Sequence, residues 1–346
     1  MSTYRALAGI VIAFVGCGGR YGGNPTTPDK PTGKAPAGGL DEAALPFQVL
    51  DARTGRQVNV AVLWPQLAKA RAICVGEEHP NPHHHWVQLE VMRQIAKAVT
   101  KGEALALGLE MIQRPFQGVL DDYAAKRIDA AALRSRVGWE DRWAYDWNFY
   151  GPTLDVAIKA GASLLALNTE RELTKKVSRK GLASLDAADK AKLPELDLAN
   201  AAHKAWWDEL MGGMGGAAGH SQKSDKPASS DKPAANDPPE NPHKAKPEMP
   251  SGENIYAAQV LWDETMADGG AKWLASHPTG HLVVLAGNGH CHDSAIVGRL
   301  KRRGVTDVIS IRSVLDDGEG EVARVLAKPM NDFVVVLQLP PGAKAE

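Results

Sequence analysis

The feature that most restricts the fold is a layout that occurs twice. Ile73-Cys74-Val75-Gly76-Glu77-Glu78-His79 and Val284-Leu285-Ala286-Gly287-Asn288-Gly289-His290 are each an apolar run, a glycine, two residues and a histidine. The first is followed by a helical pattern in which Trp86, Leu89, Met92, Ile95, Ala96 and Val99 are spaced by three and four. The second leads into helical sequence to Arg303. Short buried strands feeding helices make an α/β fold with a central, mostly parallel sheet flanked by helices. In such a sheet ligands meet the chain beyond the carboxyl ends of the strands.

Titratable chemistry is concentrated at these junctions. Gly76 to His85 holds four histidines and two carboxylates in ten residues. Asn81 is placed to cap the following helix, with Pro82 at its first position. Glu77, Glu78 and His79 then fall at the end of the strand, and His83, His84 and His85 in the first helical turn. A glycine lets the backbone turn sharply off the strand or come close to a ligand. Two junctions of this kind in one sheet can converge on one site.

Other apolar runs supply the rest of the sheet: Phe47 to Asp51, Val58 to Leu63, Leu105 to Met111, Leu164 to Asn168, Val308 to Ile311 and Phe333 to Leu339. Glu110 stands near the end of its strand. Trp139, Trp143 and Trp147 recur every four residues, which predicts one helix face. With Tyr145 and Tyr150 nearby, that face is either core packing or one wall of a pocket for a flat, apolar ligand.

Three segments stand apart. Residues 1–17 read as a lipoprotein signal peptide: Arg5, an apolar run from Ala6 to Val15 too short to span a bilayer, and Phe14-Val15-Gly16-Cys17, similar to a lipobox with Phe for the usual Leu. Cys17 is then the lipidated residue, and the lipid anchor makes the membrane a partner. Residues 18–46 read as a flexible tether of Gly, Pro, Thr and Ala, and residues 212–252 as a disordered low-complexity insert. The folded domain is expected over 47–340. The net charge of −1 carries no nucleic-acid signal. Once Cys17 is lipidated, Cys74 and Cys291 remain, and their placement favours core packing over a disulfide, which stays open outside the cytoplasm.

The chain resembles the ChaN-like haem-binding lipoproteins of the superfamily that includes Tiki, TraB and erythromycin-esterase proteins. The residues carrying this are Gly76-Glu77-x-His79, His84-His85 with Gln88, Leu109-Glu110-Met111, Tyr150-x-Pro152, Asn168-x-x-Arg171, Gln259 with Asp263, Met266 and Ala267, and Gly287-Asn288-Gly289-His290, spread over 47 to 315. Pro80 departs from the family's frequent Asp, Val297 from its frequent proline, and the insert has no family counterpart. The resemblance implies a helical insertion in the sheet, haem binding and a part in haem or iron acquisition. It implies a bacterial envelope location, lipid-anchored on the outer membrane and facing the periplasm, and allows a homodimer.

Two ligand readings follow. Haem needs an axial ligand, apolar walls and partners for its propionates. His79, His84, His85, His290, His292, Tyr145 and Tyr150 are the candidate ligands, Trp143 and Trp147 the wall, and Arg142 and Arg171 the cations. Without a Cys-x-x-Cys-His motif the haem is non-covalent. The alternative is a divalent-metal-dependent hydrolase, peptidase- or esterase-like, with Glu77, His79, Glu110 and His290 as ligands and Glu77, Glu78 or Glu110 as general base. Glu110 and Arg171 read equally well as a buried ion pair.

Overall fold

The computed structural model describes residues 33–99, 102–218, 251–318 and 320–340. The expected signal peptide with Cys17, residues 18–32 of the expected tether and residues 219–250 of the expected insert lie outside these. Among the described residues no helix is long and apolar enough to cross a membrane.

The strands are β1 (Phe47–Asp51), β2 (Gln57–Val58), β3 (Ala72–Glu77), β4 (Leu105–Gln113), β5 (Ser163–Asn168), β6 (His281–Gly287), β7 (Val308–Asp316) and β8 (Phe333–Gln338). They form one sheet in the order β2-β1-β8-β7-β3-β6-β4-β5. Only the β2–β1 and β1–β8 pairings are antiparallel. The expected α/β architecture is therefore present. The strands carrying the two histidine motifs are neighbours at its centre, with Gly76 opposite Ala286 and Glu77 opposite Gly287.

Side-chain alternation decides where their helices go. Ile73 and Val75 of β3 and Val283 and Leu285 of β6 face a core that takes Val87, Leu89, Met92 and Ile95 of the helix Pro82–Ala98. Cys74, Leu282 and Val284 face the opposite core, with Ile296, Val297 and Leu300 of the helix Ile296–Arg302. Each buried aliphatic side chain of this kind contributes about 1.5–3 kcal/mol. Adjacent strands thus send their helices to opposite faces, which opens the crevice where ligands bind in such sheets.

Four expectations need correction. Val58 to Leu63 is not a strand: Asn59 caps a helix, Val60–Lys69, accepting from the Ala61 amide. Folded structure begins before Phe47, because Leu40 and Ala43 are buried and the Ala43 carbonyl meets His83 Nδ1 at 2.7 Å. The helix Ala201–Ala218 runs into the segment expected to be disordered from 212. The tryptophans share no helix face: Trp139–Arg142 is one short helix, Ala144 turns with φ 66°, and Trp147–Phe149 is a 3-10 turn. Trp139 Nε1 donates to the Tyr145 carbonyl at 2.8 Å, which holds that turn.

Candidate functional site

The two motifs interlock through their glycines. A Cβ on Gly287 would lie 3.1 Å from Cε1 of His79, and a Cβ on Gly76 would overlap the side chain of Asn288, 3.2 Å from its Cα. The Asn288 amide donates to the Glu77 carbonyl at 2.8 Å, and the His290 amide to the Gly287 carbonyl at 2.8 Å. Cys74 and Cys291 are not separate core residues. They form a disulfide with Cα atoms 5.3 Å apart, tying β3 to the residue after His290.

Both histidines are held alike. His79 Nδ1 lies 2.6 Å from Glu77 Oε1, and His290 Nδ1 lies 2.6 Å from Asp263 Oδ1 on the helix Gly252–Ser276. A carboxylate accepting the Nδ1 proton fixes the ring and leaves Nε2 for a ligand. His79 Nε2 has no hydrogen-bond partner among the described residues, and its ring lies 4.7 Å from Trp143 and 5.0 Å from Tyr145. His290 Nε2 faces Glu110 Oε1 at 3.4 Å, while Glu110 Oε2 accepts from the Gly287 amide at 2.7 Å. Asn288 carries two buried side-chain atoms with no hydrogen-bond partner in this same place.

Electrostatics follow from this pairing. Burial disfavours the charged ring of His290, but Glu110 and Asp263 outweigh it and push its pKa up to about 9. Burial likewise opposes charge on His79, yet Glu77 and then Glu110 hold its pKa above the ordinary value. Burial would raise Glu77; His79 and His85 more than offset it, and its carboxyl lies below the usual range. Burial, then Glu77 and Glu110, push the Tyr145 phenol up to about 12, and Tyr150 goes well above its ordinary value for the same first reasons.

Other expected site residues fall behind or beside this centre. His85 and Tyr150 support Glu77, at 3.5 Å and 3.4 Å. His84 is buried, takes the Glu78 amide on Nδ1 at 3.1 Å, and has its pKa pushed down to about 3 by burial. Trp147 makes its ring contacts with Trp139 and Tyr123. Arg171 donates to the Asp141 carbonyl at 3.0 Å, and Arg142 to Gln113 at 2.9 Å. His292 lies tilted against Trp206, ring centres 4.4 Å apart. Of the proposed metal set, Glu110 is engaged by His290 and the Gly287 amide and Glu77 Oε1 by His79, while Glu77 Oε2 is buried without a hydrogen-bond partner among the described residues. Among the described residues no group of three or more His, Cys, Asp or Glu is placed to hold a metal ion.

Sequence reasoning missed the support of His290. Asp263 is fully buried, with Oδ2 3.0 Å from His203 Nε2 and Arg299 Nη1 3.9 Å away. Burial would raise this carboxyl, but Arg299 and His290 hold it far below its usual range. The readable signal was the spacing of Gln259 and Asp263, one turn apart on the helix Gly252–Ser276. His203 sits among alanines and charges and gave none.

The fold and site define an α/β protein with two carboxylate-held histidines at a central switch point. Residues 63–300 match the family described as haem-binding uptake, Tiki superfamily, ChaN, and the chain belongs to it. A solved structure titled cofacial heme binding to ChaN of Campylobacter jejuni superposes with a TM-score of 0.58 at 18% identity, covering 84% of this chain and 96% of that one. The chain is also 27% identical over 132 residues to Protein RETICULATA-RELATED 5, chloroplastic, of Arabidopsis thaliana, covering 37% of this chain and 18% of that relative's length.

Proposed function

We propose that this protein binds haem non-covalently above the junction of β3 and β6, with His79 as the iron ligand. The observation that carries this is the state of His79: Nδ1 engaged by Glu77, Nε2 unpartnered among the described residues, and Trp143 and Tyr145 beside the ring. Haem iron takes an imidazole nitrogen that has given up its proton, and the macrocycle takes aromatic walls. When bound, haem supplies a redox-active iron and a flat apolar face. The residues present fit that group. His290 shares the site, but Glu110 covers its Nε2 at 3.4 Å. Tyr150 is fully buried with its hydroxyl donated to Glu77, and Tyr145 lies beside the His79 ring.

In this reading Cys17 carries the lipid anchor, and the domain serves haem or iron acquisition at the bacterial outer membrane, facing the periplasm. Cofacial binding, the term used for the Campylobacter jejuni protein, suits a homodimer in which two haems stack. The test is titration of the full-length protein with haemin, followed at the Soret band, beside metal analysis of the protein as purified. A saturable, shifted Soret band with one haem per chain is expected. Absence of binding, with a stoichiometric divalent ion instead, would return the hydrolase reading.

A further inference from the structure

The tryptophans share no helix face, yet they form one unbroken row of ring contacts. Trp143, beside His79, has its ring centre 6.1 Å from that of Tyr150. Tyr150 lies 5.3 Å from Trp139, Trp139 5.0 Å from Trp147, and Trp147 6.2 Å from Tyr123. The inner three rings are buried, and Trp147 and Tyr123 are half-buried. Edge-to-face packing of this kind is ordinary for a core. The row differs in what it joins. Indole and phenol give up an electron readily, whereas the Leu and Val side chains around them do not. The seat of Trp147 is also cut for it: a Cβ on Gly151, which opens the helix Gly151–Lys159, would stand 2.6 Å from the indole Nε1.

The row ends at the surface, in an open cavity of about 500 Å³ that shares no lining residue with the β3–β6 junction. Tyr123, Ile128 and Ile158 line it together with Lys126, Arg127 and Lys159. Arg127 is held by Asp122 at 2.7 Å, so the two lysines carry the attraction for an anion. Two carboxylates also line the cavity, and each has a task. Asp129 accepts the Ala132 amide at 2.8 Å, and Asp155 Oδ1 accepts the Tyr123 hydroxyl at 3.5 Å. Tyr123 thus has a solvent-facing group within reach that can take its proton. Trp139 Nε1 donates to the Tyr145 carbonyl at 2.8 Å, which is no base, so this indole keeps its proton.

We propose that Tyr123, Trp147, Trp139, Tyr150 and Trp143 are a path for single electrons from this cavity to the haem site, and that the cavity takes a small anionic enediol reductant. This rests on haem binding above the β3–β6 junction, whichever side chain meets the iron. The oxidant is hydrogen peroxide acting at the bound haem. An electron drawn into the site leaves Trp143 or Tyr150 one electron short, and the vacancy passes outward ring by ring. It comes to rest at Tyr123, which gives its electron to Trp147 and its proton to Asp155 and is left a neutral phenoxyl radical. The enediol monoanion returns one hydrogen atom to the phenoxyl oxygen and becomes a radical anion. Asp155 releases its proton to solvent. Two such passages supply two electrons, and the two released protons balance the reduction of one hydrogen peroxide to two waters.

The test treats the full-length, haemin-saturated protein with hydrogen peroxide, with and without ascorbate as the enediol probe. The readouts are the electron paramagnetic resonance spectrum of the freeze-quenched sample and the position of spin-trap adducts by mass spectrometry. Wild type should show a tyrosyl signal and an adduct at Tyr123, both erased by ascorbate. Tyr123→Phe should leave haemin affinity unchanged and move the adduct inward to Trp147 or Trp139. Trp147→Phe fills the same seat with a ring that passes no electron, so the Tyr123 adduct should fall severalfold with Tyr123 intact. Trp139→Phe should do the same, and it carries the test if Trp147→Phe does not fold. Replacing Lys126 and Lys159 with alanine should leave the radical in place but slow its removal by ascorbate severalfold. If Trp147→Phe and Trp139→Phe keep the Tyr123 adduct at the wild-type yield, Tyr123 is oxidised from solution and the path is refuted while haem binding stands. Unchanged removal by ascorbate in the lysine variant would refute the cavity as the reductant's site. If titration shows no haemin binding, the path falls with that reading.

Discussion

Gly287 and His79 occupy one another's space: a Cβ on the glycine would stand 3.1 Å from the imidazole Cε1 and 3.4 Å from Nε2. The reverse holds for the other motif, where Gly76 makes room for Asn288. The glycine of each Gly-x-x-His therefore serves the other strand's loop. This reciprocity explains why two copies of one layout occur on adjacent strands.

It also separates two substitutions. Gly76→Ala overlaps a side chain whose own backbone is close behind, so it should cost about 1–3 kcal/mol of stability. Gly287→Ala asks the His79 ring to give by a few tenths of an ångström, so it should cost less stability and mainly weaken haemin binding. Thermal unfolding and haemin titration of both variants check this. Equal losses of stability from the two would show that the glycines do not play these distinct parts.

The Cys74–Cys291 disulfide closes a span of 217 residues and fixes the loop of His290 to β3. Replacing both cysteines with alanine should lower stability by about 2–5 kcal/mol. Haemin affinity should fall with it, because His290 loses its tie to the strand before His79. The comparison is denaturant unfolding and haemin titration of the double variant against wild type. Unchanged values would make the bridge incidental.

Stability of the haem-free protein should peak near pH 6.5. His84 and His292 are buried, mainly by desolvation held near pKa 3. Below about pH 6.5 the unfolded chain binds protons at these rings that the folded chain refuses, so stability falls with falling pH. His290, held near pKa 9 by Glu110 and Asp263 against its burial, does the opposite. Its contribution is complete below about pH 6.5 and is lost as pH rises through 9. Each ring contributes a slope of about 1.4 kcal/mol per pH unit in its window. Denaturant unfolding across pH should show His292→Asn flattening the acid limb and His290→Ala flattening the alkaline limb. Limbs unmoved by these changes would rule out these rings as the cause.

The sheet and the convergence of the two motifs were legible because apolar runs, glycines and the Asn81-Pro82 cap are local signals. The Asn81 side chain does accept from the His83 and His84 amides. What surrounds the histidines was not legible. The tryptophan spacing suggested a helix, but Ala144 adopts a positive φ with no glycine or proline nearby to announce it. The partners of Glu77, Glu110 and Asp263 are fixed by the register of β3 on β6 and by a helix far away in sequence, which no local pattern encodes. The disulfide has the same origin, since only the sheet brings residues 74 and 291 together.

The lipid anchor is a separate prediction, resting on the short apolar leader and Phe14-Val15-Gly16-Cys17. Cys17→Ser should leave the protein uncleaved or release it from the membrane fraction. Normal processing and membrane retention of that variant would refute the anchor while leaving the haem site untouched.

The central claim is that His79 and His290 serve one haem site. It is tested most directly by a double-mutant cycle on haemin affinity with His79→Ala, His290→Ala and the double variant. Residues that share a ligand are coupled by about 0.5–3 kcal/mol. Each single change should weaken binding, His79→Ala should also alter the Soret band, and the double variant should cost less than the sum. Additive losses, or haemin affinity unchanged in both single variants, would contradict a shared site.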